Sequence, residues 1–356
     1  MYLLSVASAF PRHVFTQREC WDRLLAADGL RGLKPRSREL MEKILLGDSG
    51  IETRHFACSD LEEVFACDAG GLHRLYEAAA PKLAAGALEA ACRASGVEPS
   101  ELDALFICSC TGYLCPGLSS YVAESMGMRG NVFLQDLLGL GCGAALPMLE
   151  AARCFVAAHP GARVATIAAE VCSAAFYLDD DPGVLISLCL FGDGAAAAIW
   201  GDDPSAGTHR LQNFQTIHQP EHREKIRFVN EGGKLKNQLH RSVPGLAARA
   251  VAGLYDLRTC EPEQVISHTG GRDVIEQIEG EMPGFPLDAT RSVLRDYGNV
   301  SSPCVLLALE RALAGPGAAD RLWLTAFGAG FAAHSCELVR PTGSCSPAAA
   351  HGRRQA

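Results

Sequence analysis

Three polar residues in separate parts of the chain have side chains that together suit nucleophilic catalysis. Cys142 lies in the glycine-rich stretch 139–143, His268 ends an apolar run before Thr-Gly-Gly, and Asn299 lies in Tyr-Gly-Asn-Val-Ser-Ser. A cysteine thiolate is a strong nucleophile, and histidine and asparagine both supply N–H donors. The set therefore predicts a thiolate nucleophile with two donors aimed at an oxyanion.

The neighbours of Cys142 favour its ionised form. Gly141 and Gly143 let other backbone approach closely, and a helix that starts after them supplies free N–H groups and a positive dipole end. An imidazolium at His268 would add to this effect. We therefore expect the pKa of Cys142 to lie well below the usual cysteine value of about 8.5.

Each of the three residues also has an ordinary structural explanation. Cys142 is one of 15 cysteines, so it could be a buried core thiol. His268 could be a hydrogen-bonded core histidine, and Asn299 could be the N-cap of the helix that follows it. The occurrence of all three residues together, more than any one of them, favours a catalytic role over a structural one.

An internal repeat relates the two halves of the chain. The segment Val-Ile-Ser-His-Thr-Gly at 265–270 resembles Ile-Cys-Ser-Cys-Thr-Gly at 107–112, which lies 158 residues earlier. Asn299 follows Cys142 at a distance of 157 residues, and the apolar strands that begin at Arg163 and Arg321 are 158 residues apart. One shared offset indicates a duplicated unit.

Each half alternates short apolar strands with amphipathic helices, which is typical of an α/β fold. We expect a first half at 1–200 that carries Cys142, a second half at 201–340 that carries His268 and Asn299, and a disordered tail at 341–356. The polar stretch 201–242 is expected to be a surface excursion. Predicted helices cover 81–95, 117–127, 143–158, 272–279 and 303–314, and predicted strands cover 104–109, 163–170, 194–200, 264–268 and 321–326.

An ordered set of short motifs extends over nearly the whole chain. They are SGIETRHF (49–56), CTGYLCPG (110–117), GLGCGAA (139–145), LFGDGAAA (190–197), VPGL (243–246), HTGG (268–271), GNVSSPCVLL (298–307) and FGAGF (327–331). In this set the chain resembles the type III polyketide synthases, the chalcone and stilbene synthase family of thiolase-like condensing enzymes. The resemblance implies a five-layered αβαβα fold with two pseudo-duplicated halves, and a homodimer.

The same resemblance implies the chemistry of the site. Cys142 would carry the acyl group, and His268 and Asn299 would stabilise the enolate formed when a malonyl thioester loses CO₂. Phe191 matches the family's gatekeeping phenylalanine. The substrate pocket is expected to include further residues at Cys110, Thr111, Cys115, Ala175, Asn237, Phe327 and Gly328.

Several positions depart from the plant members of that family. Basic residues that hold coenzyme A phosphates are replaced by Met41, Ile44 and Asp48, so Arg54 and Arg272, with Gly271, are the substitute contacts that we expect. An acyl carrier protein is the alternative donor.

Three pocket positions carry smaller residues than in the plant enzymes, namely Cys110, Ala175 and Asn237, and Ala329 replaces a proline in the loop 327–331. Smaller residues predict room for a long or bulky acyl chain. An alkylpyrone, an alkylresorcinol or another aromatic product is therefore expected, with the mode of ring closure left open.

Charge and cysteine usage limit the environment and the partners. The net charge of −9 argues against a nucleic-acid surface, and no long uncharged apolar run indicates a membrane span. The spacing of Cys108, Cys110 and Cys115 does not suit zinc, and neither a metal nor a cofactor beyond the thioester substrates is expected. An odd number of irregularly spaced cysteines predicts reduced thiols in the cytoplasm.

Three other functions are compatible with parts of the pattern. A ketoacyl synthase III-like enzyme, with one condensation on carrier-bound substrate, is the nearest, but its histidine motif resembles His-Gln-Ala-Asn where this chain has His-Thr-Gly-Gly. A papain-like protease shares the order Cys, His, Asn but requires a different cysteine signature and has no duplication. A catalytically inactive scaffold has no need of Cys142.

Overall fold

A large mixed sheet with helices on its faces organises the chain. The computed structural model describes residues 1–315 and 317–341. The strands are β1 (Tyr2–Ala9), β2 (His13–Thr16), β3 (Thr53–Phe56), β4 (Ala104–Cys108), β5 (Phe133–Leu137), β6 (Val164–Glu170), β7 (Gly194–Gly201), β8 (Arg210–His218), β9 (Ile226–Glu231), β10 (Lys234–Leu239), β11 (Gln264–Ser267), β12 (Arg321–Gly328) and β13 (Ala332–Val339). The helices are α1 (Gln17–Ala26), α2 (Pro35–Leu46), α3 (Leu61–Ala66), α4 (Ala69–Ser95), α5 (Leu118–Ser125), α6 (Ala145–Ala158), α7 (Pro182–Leu190), α8 (Val243–Tyr255), α9 (Arg272–Glu281), α10 (Asp288–Tyr297) and α11 (Cys304–Ala314).

The sheet repeats one topology twice. Within the described residues nine strands join in the order β11-β12-β13-β8-β1-β7-β6-β4-β5. In the first half β4 is parallel to β6, which is antiparallel to β7, which is antiparallel to β1. In the second half β11, β12, β13 and β8 follow each other with the same sequence of orientations. Tyr2 opposite Arg210 joins the two half-sheets.

The helices complete five layers. Apolar helices α6 and α11 contact strands of both half-sheets and are buried between them. Helix α4 covers the outer face of the first half-sheet, and α8 covers the outer face of the second. The predicted αβαβα arrangement is therefore confirmed, because each half-sheet is apolar on both faces and requires a helix layer on each.

Segment Gly141–Ala158 reaches the length and mean hydropathy of a membrane span, but 56% of it is buried inside the protein. It includes α6, which lies in the central helix layer between the two half-sheets. A core helix meets the same criteria of length and hydropathy, so this segment is explained by the fold.

The predicted strands and helices are all found, with two corrections. Helix α4 begins at Ala69, twelve residues before the predicted start at Pro81, because Asp68 caps it by accepting a hydrogen bond from Gly71 and Pro81 lies inside the helix. The segment 201–242 is more than a surface excursion, because β8 pairs with β13 inside the sheet. Residues 342–356, nearly all of the expected disordered tail, lie outside the described residues.

Candidate active site

Cys142 lies in a short 3₁₀ turn, Gly141–Gly143, between β5 and α6. The loop after β12 packs directly against this turn. A Cβ on Gly141 would lie 2.9 Å from the backbone nitrogen of Ala329, and one on Gly328 would lie 2.6 Å from the nitrogen of Gly143. The glycines are therefore required by close backbone approach, which places Phe327 and Gly328 behind the nucleophile.

His268 follows β11 and is almost completely buried. The ring of Phe327 lies edge-on to its imidazole at a centroid distance of 5.1 Å. Its Nδ1 has no hydrogen-bond partner among the described residues. An unpartnered buried ring nitrogen is unusual in a core histidine, and it leaves this atom available to a bound substrate.

Asn299 lies between α10 and α11, in the second half of the chain. Its Oδ1 accepts a hydrogen bond from the backbone N–H of Ser301 at 2.9 Å, and its Nδ2 is 3.4 Å from the carbonyl oxygen of Gly270. Pro303 occupies the N-cap of α11, so Asn299 does not have the capping role that would explain it structurally. The contact at Oδ1 fixes the amide orientation, so the N–H groups of Nδ2 lie on the side of the amide that faces Gly270.

Ser301 connects the three candidate residues, and the sequence analysis did not single it out. Its hydroxyl donates to Cys142 Sγ at 3.2 Å, and its backbone lies near enough to the imidazole of His268 to act on the pKa of that group. Its own N–H binds Asn299, and its φ of 61° places it in the left-handed region. The structure thus brings Cys142, His268 and Asn299 together around the turn that contains Ser301. In the sequence, the only sign of this turn was that Ser301 belongs to the GNVSSPCVLL motif.

Burial controls the protonation of Cys142 and of His268. It raises the pKa of Cys142 to about 12, against the opposing effect of the Ser301 hydrogen bond. It also lowers the pKa of His268 to about 3. Burial penalises the charged form of each group, so both are held neutral.

The expectation of a low-pKa thiolate beside an imidazolium is therefore wrong for this structure. Cys142 does precede the first turn of α6, which begins at Ala145, but burial of the sulfur outweighs the effect of the helix end. Loss of water around the sulfur then dominates.

A narrow cavity borders Ser301, the residue that contacts Cys142. Its volume is about 360 Å³ including the open mouth, which is at the small end of ligand pockets. The cavity is lined by Ser301 and by four of the expected pocket residues, Thr111, Ala175, Phe191 and Asn237.

The expectation of room for a long acyl chain is not supported. Three large side chains that the sequence analysis did not identify also line the cavity, namely Phe176, Phe228 and Leu235. Asn237 is part of the wall, where its Nδ2 donates to Ser187 Oγ at 2.6 Å. The space left by smaller residues is therefore taken by side chains from neighbouring elements.

The two remaining pocket cysteines differ in position. Cys110 Sγ lies 3.2 Å from Ser301 Oγ and 3.1 Å from Glu170 Oε1, so it belongs to the site. Cys115 is exposed and is absent from the cavity lining.

Glu170 is a second residue that the sequence analysis missed. It ends β6, is fully buried, and accepts hydrogen bonds from the turn after β4 and from the turn before α11. These donors include the backbone N–H groups of Cys110 and Thr111 and the hydroxyl of Ser302.

Arg54 cannot contact a thioester substrate, contrary to expectation, because it is only 1% exposed. Its Nη1 donates to the carbonyl oxygens of Leu188 at 2.7 Å and Phe191 at 2.9 Å, and its Nε donates to Gln17. A guanidinium that binds the last carbonyls of a helix stabilises that end. Arg54 therefore holds the C-terminal end of α7 and the residue Phe191 that follows it.

Arg272 is partly exposed at the start of α9, directly after Gly271. It forms ion pairs with Asp48 at 3.1 Å, Asp273 at 3.3 Å and Glu276 at 3.6 Å. The neighbouring acids satisfy its charge within the chain.

Comparison with known proteins agrees with the fold and with the site. A sequence profile described as FAE1/Type III polyketide synthase-like protein matches residues 31–250. The 3,5-dihydroxyphenylacetyl-CoA synthase of Streptomyces toyocaensis is 29% identical over 331 residues, 87% of this chain and 82% of that protein. The 1,3,6,8-tetrahydroxynaphthalene synthase of Streptomyces griseus is 28% identical over 324 residues, 88% of this chain and 85% of that protein.

Solved structures show the same relationship. The crystal structure of 1,3,6,8-tetrahydroxynaphthalene synthase from Streptomyces coelicolor A3(2), a bacterial type III polyketide synthase, has a TM-score of 0.84 at 25% identity and covers 96% of this chain and 100% of its own. The C-terminal type III polyketide synthase domain of a type I/III hybrid from Dictyostelium has a TM-score of 0.86 at 21% identity, covers 95% and 99% of the two chains, and supports the fold.

The five-layered duplicated fold is that of the thiolase-like condensing enzymes. The chain belongs to the FAE1/type III polyketide synthase-like family. It is an acyltransferase, and the ketoacyl synthase III-like alternative is not favoured.

The buried neutral state of His268 predicts a specific acid sensitivity. Between its folded pKa of about 3 and the usual unfolded value of about 6.5, the unfolded chain binds a proton that the native chain does not, so stability falls as the pH falls through this window. At pH 4.5 the loss from this one group is roughly 2–3 kcal/mol, at 1.36 kcal/mol per pH unit. Replacement of His268 by Gln should therefore reduce the loss of stability between pH 7.5 and pH 4.5, as measured by urea unfolding. The exposed His73→Gln is the control, and equal acid sensitivity of the two variants would contradict the prediction.

The side chains that fill the cavity predict the acyl-chain preference. Phe228→Ala should increase kcat/KM for a long-chain acyl starter relative to a short one by about tenfold, because removal of this half-buried phenyl group from the cavity wall leaves space for several methylenes at roughly 0.8 kcal/mol each. Product mass spectrometry with a series of acyl-CoAs measures the ratio. An unchanged ratio would mean that the acyl chain does not enter this cavity.

Proposed function

We propose that Cys142 is the acyl-carrying nucleophile of this polyketide synthase and that His268 and Asn299 bind the developing oxyanion. The observation that supports this assignment is the Ser301 turn, which forms hydrogen bonds with Cys142 and Asn299 and lies beside His268. In the first step the sulfur of Cys142 forms a bond to the starter carbonyl carbon, and the carrier thiol leaves with the proton.

In the second step a malonyl thioester loses CO₂ and becomes an enolate. The enolate oxygen requires N–H donors, which the Asn299 amide and a neutral imidazole both supply. The lowered pKa of His268 supports this role, because the histidine remains a neutral donor throughout the working pH range. The enolate carbon then attacks the acyl carbonyl, and the Cys142 thiolate leaves.

Phe191 supplies an apolar surface at the site of CO₂ loss. Its backbone is held on both sides, because its carbonyl oxygen accepts from Arg54 and the neighbouring Gly192 N–H donates to the carbonyl oxygen of Asn299 at 3.1 Å. A carboxylate placed against this ring loses solvation, which favours release of neutral CO₂. Phe191 is thereby tied to Asn299, so its position relative to the enolate site is fixed.

The substrates are a short acyl thioester and malonyl thioester, and the product is an aromatic polyketide. The narrow cavity supports a short starter, and the relatives are synthases of tetrahydroxynaphthalene and of 3,5-dihydroxyphenylacetyl-CoA. Coenzyme A is the carrier that we favour over an acyl carrier protein, since one of these relatives has a CoA thioester product by name. The site works in the cytoplasm, a location supported by the free thiols of the fourteen described cysteines.

The active form is a homodimer that forms through β5. This strand ends the sheet, and it and its surroundings present exposed apolar side chains at Phe133, Leu134, Leu138 and Tyr113. An open apolar sheet edge is a template for pairing with a second strand. Cys115, exposed in the single chain, would then lie close to this interface.

Substitution of the proposed triad tests the assignment directly. Cys142→Ala should abolish both acylation and product formation, whereas His268→Gln should slow malonyl decarboxylation by at least about 100-fold and slow acylation much less. Intact-protein mass spectrometry follows acylation, and CO₂ release from malonyl-CoA follows decarboxylation. Product formation by Cys142→Ala would refute the assignment of the nucleophile.

An edge substitution tests the dimer. Leu134→Lys places a charge on the exposed edge strand and should convert the protein to a monomer, as measured by light scattering. Leu25→Lys, which replaces a more exposed leucine on α1, away from β5, is the control and should remain dimeric. A dimeric Leu134→Lys variant, or a monomeric wild type, would exclude pairing through β5.

A further inference from the structure

The carboxylate of Glu170 has one oxygen whose role is fixed by the backbone. Its Oε2 accepts from the N–H of Cys110 at 3.0 Å, the N–H of Thr111 at 3.1 Å and the hydroxyl of Thr111 at 2.8 Å. Backbone N–H groups can only donate, so this oxygen can only accept. The orientation of the whole carboxylate is thereby set.

The other oxygen, Oε1, faces three side chains with rotatable protons. Ser302 Oγ lies at 2.5 Å, Cys110 Sγ at 3.1 Å and Ser301 Oγ at 3.4 Å. The first two distances are the shorter ones, and Ser302 in particular is a strong charge-assisted donor. Ser301 is therefore the weakest of the three competitors for this oxygen.

The hydroxyl of Ser301 has one proton and three possible acceptors within reach. Glu170 Oε1 is at 3.4 Å, and the sulfurs of Cys142 and Cys110 are each at 3.2 Å. Because Ser302 and Cys110 already donate to Oε1, the proton of Ser301 is left for a sulfur, and Cys142 Sγ is the one to which the Ser301 hydroxyl donates. The direction of this one hydrogen bond depends on how completely the carboxylate is satisfied by its other donors.

We propose that Glu170 is a positioning residue that directs the Ser301 hydroxyl towards Cys142 Sγ by binding the protons of Ser302 and Cys110. The inference rests on the proposed function of Cys142 as the nucleophile. A donor at the sulfur stabilises the thiolate when it attacks the starter and again when it leaves the extended chain.

The electrostatics of the site agree with this arrangement. The hydrogen bond from Ser301 lowers the pKa of Cys142, while the negative charge of Glu170 raises it. Loss of the Ser301 donor should therefore raise the pKa of Cys142, and loss of the Glu170 charge should lower it. Substitution of a residue with only a structural role would leave this pKa unchanged.

The measurement is the alkylation rate of Cys142 by iodoacetamide between pH 5.5 and pH 9.5. Digestion by trypsin gives a peptide of residues 130–153, in which Cys142 is the only cysteine, so mass spectrometry reports this thiol alone. Only the thiolate reacts, and one unit of pKa changes its fraction tenfold at a pH below the pKa.

Two serine variants test the direction of the hydrogen bond. Ser301→Ala should slow alkylation of Cys142 by about 3- to 10-fold at each pH, because the donor is lost. Ser302→Ala should slow it in the same direction, because Oε1 then attracts the proton of Ser301. Ser109→Ala is the matched control, since Ser109 donates to Oε2 at 3.4 Å, and it should leave the rate unchanged.

The variant Glu170→Gln tests the charge. Its amide nitrogen has to occupy the Oε1 position, because a second donor cannot face the N–H groups of Cys110 and Thr111. There it donates to the serine oxygens, the proton of Ser301 still goes to Cys142, and the negative charge is gone. Alkylation should therefore become faster, with the pH profile shifted to lower pH.

Defined results would overturn the proposal. Equal alkylation rates for Ser302→Ala, Ser109→Ala and wild type would show that Ser302 does not control the Ser301 proton. An unchanged pH profile for Glu170→Gln, together with a lower melting temperature, would show that Glu170 has only a structural role. The Ser301 and Ser302 variants change small side chains, so they keep the test valid if Glu170→Gln does not fold. Product formation by Cys142→Ala would instead refute the proposed function. The alkylation profiles would still test the positioning of Ser301, because they do not depend on product formation.

Discussion

The buried carboxylate of Glu170 is the interaction on which the rest of the site depends, because it joins the two halves of the duplicated chain. It receives donors from the turn after β4 in the first half and from the turn that precedes α11 in the second. An ionised group with no solvent exposure is stable only when several donors surround it. The requirement to satisfy this charge therefore holds both turns in place, and with them Ser301 and its contact to Cys142.

The same exclusion of water determines how the nucleophile and the histidine are ionised. Burial raises the pKa of Cys142 and lowers that of His268, so charge separation between them is disfavoured within the protein. In a low-dielectric site, the proposed donor Asn299 Nδ2 would act strongly on charge that develops on the substrate. Neutral groups of this kind suit the proposed role, which is to stabilise an enolate that appears only during the reaction.

A second buried charge holds the apolar wall of the site. The guanidinium of Arg54 binds the C-terminal carbonyls of α7 and the carbonyl of Phe191, and Phe56 lies beneath it at 5.0 Å from the ring centroid. Each of the two charged residues therefore fixes one side of the site, Glu170 the polar side with Ser301 and Arg54 the side with Phe191. The cavity between them is narrow because β9 and β10 bring Phe228 and Leu235 against it.

The sequence by itself determined the duplicated α/β architecture, the positions of the principal strands and the three residues that meet at the seam. These features are local or periodic: apolar runs predict strands, and one repeated offset relates Cys142 to Asn299. Only the tertiary structure decided the role of Arg54, the width of the cavity and the neutral state of Cys142 and His268. It also showed the contacts of Ser301 with Cys142 and of Ser302 with Glu170, which join residues 159 and 132 positions apart. Burial and hydrogen-bond direction arise from such distant pairs, and they leave no local pattern in the chain from which they could be predicted.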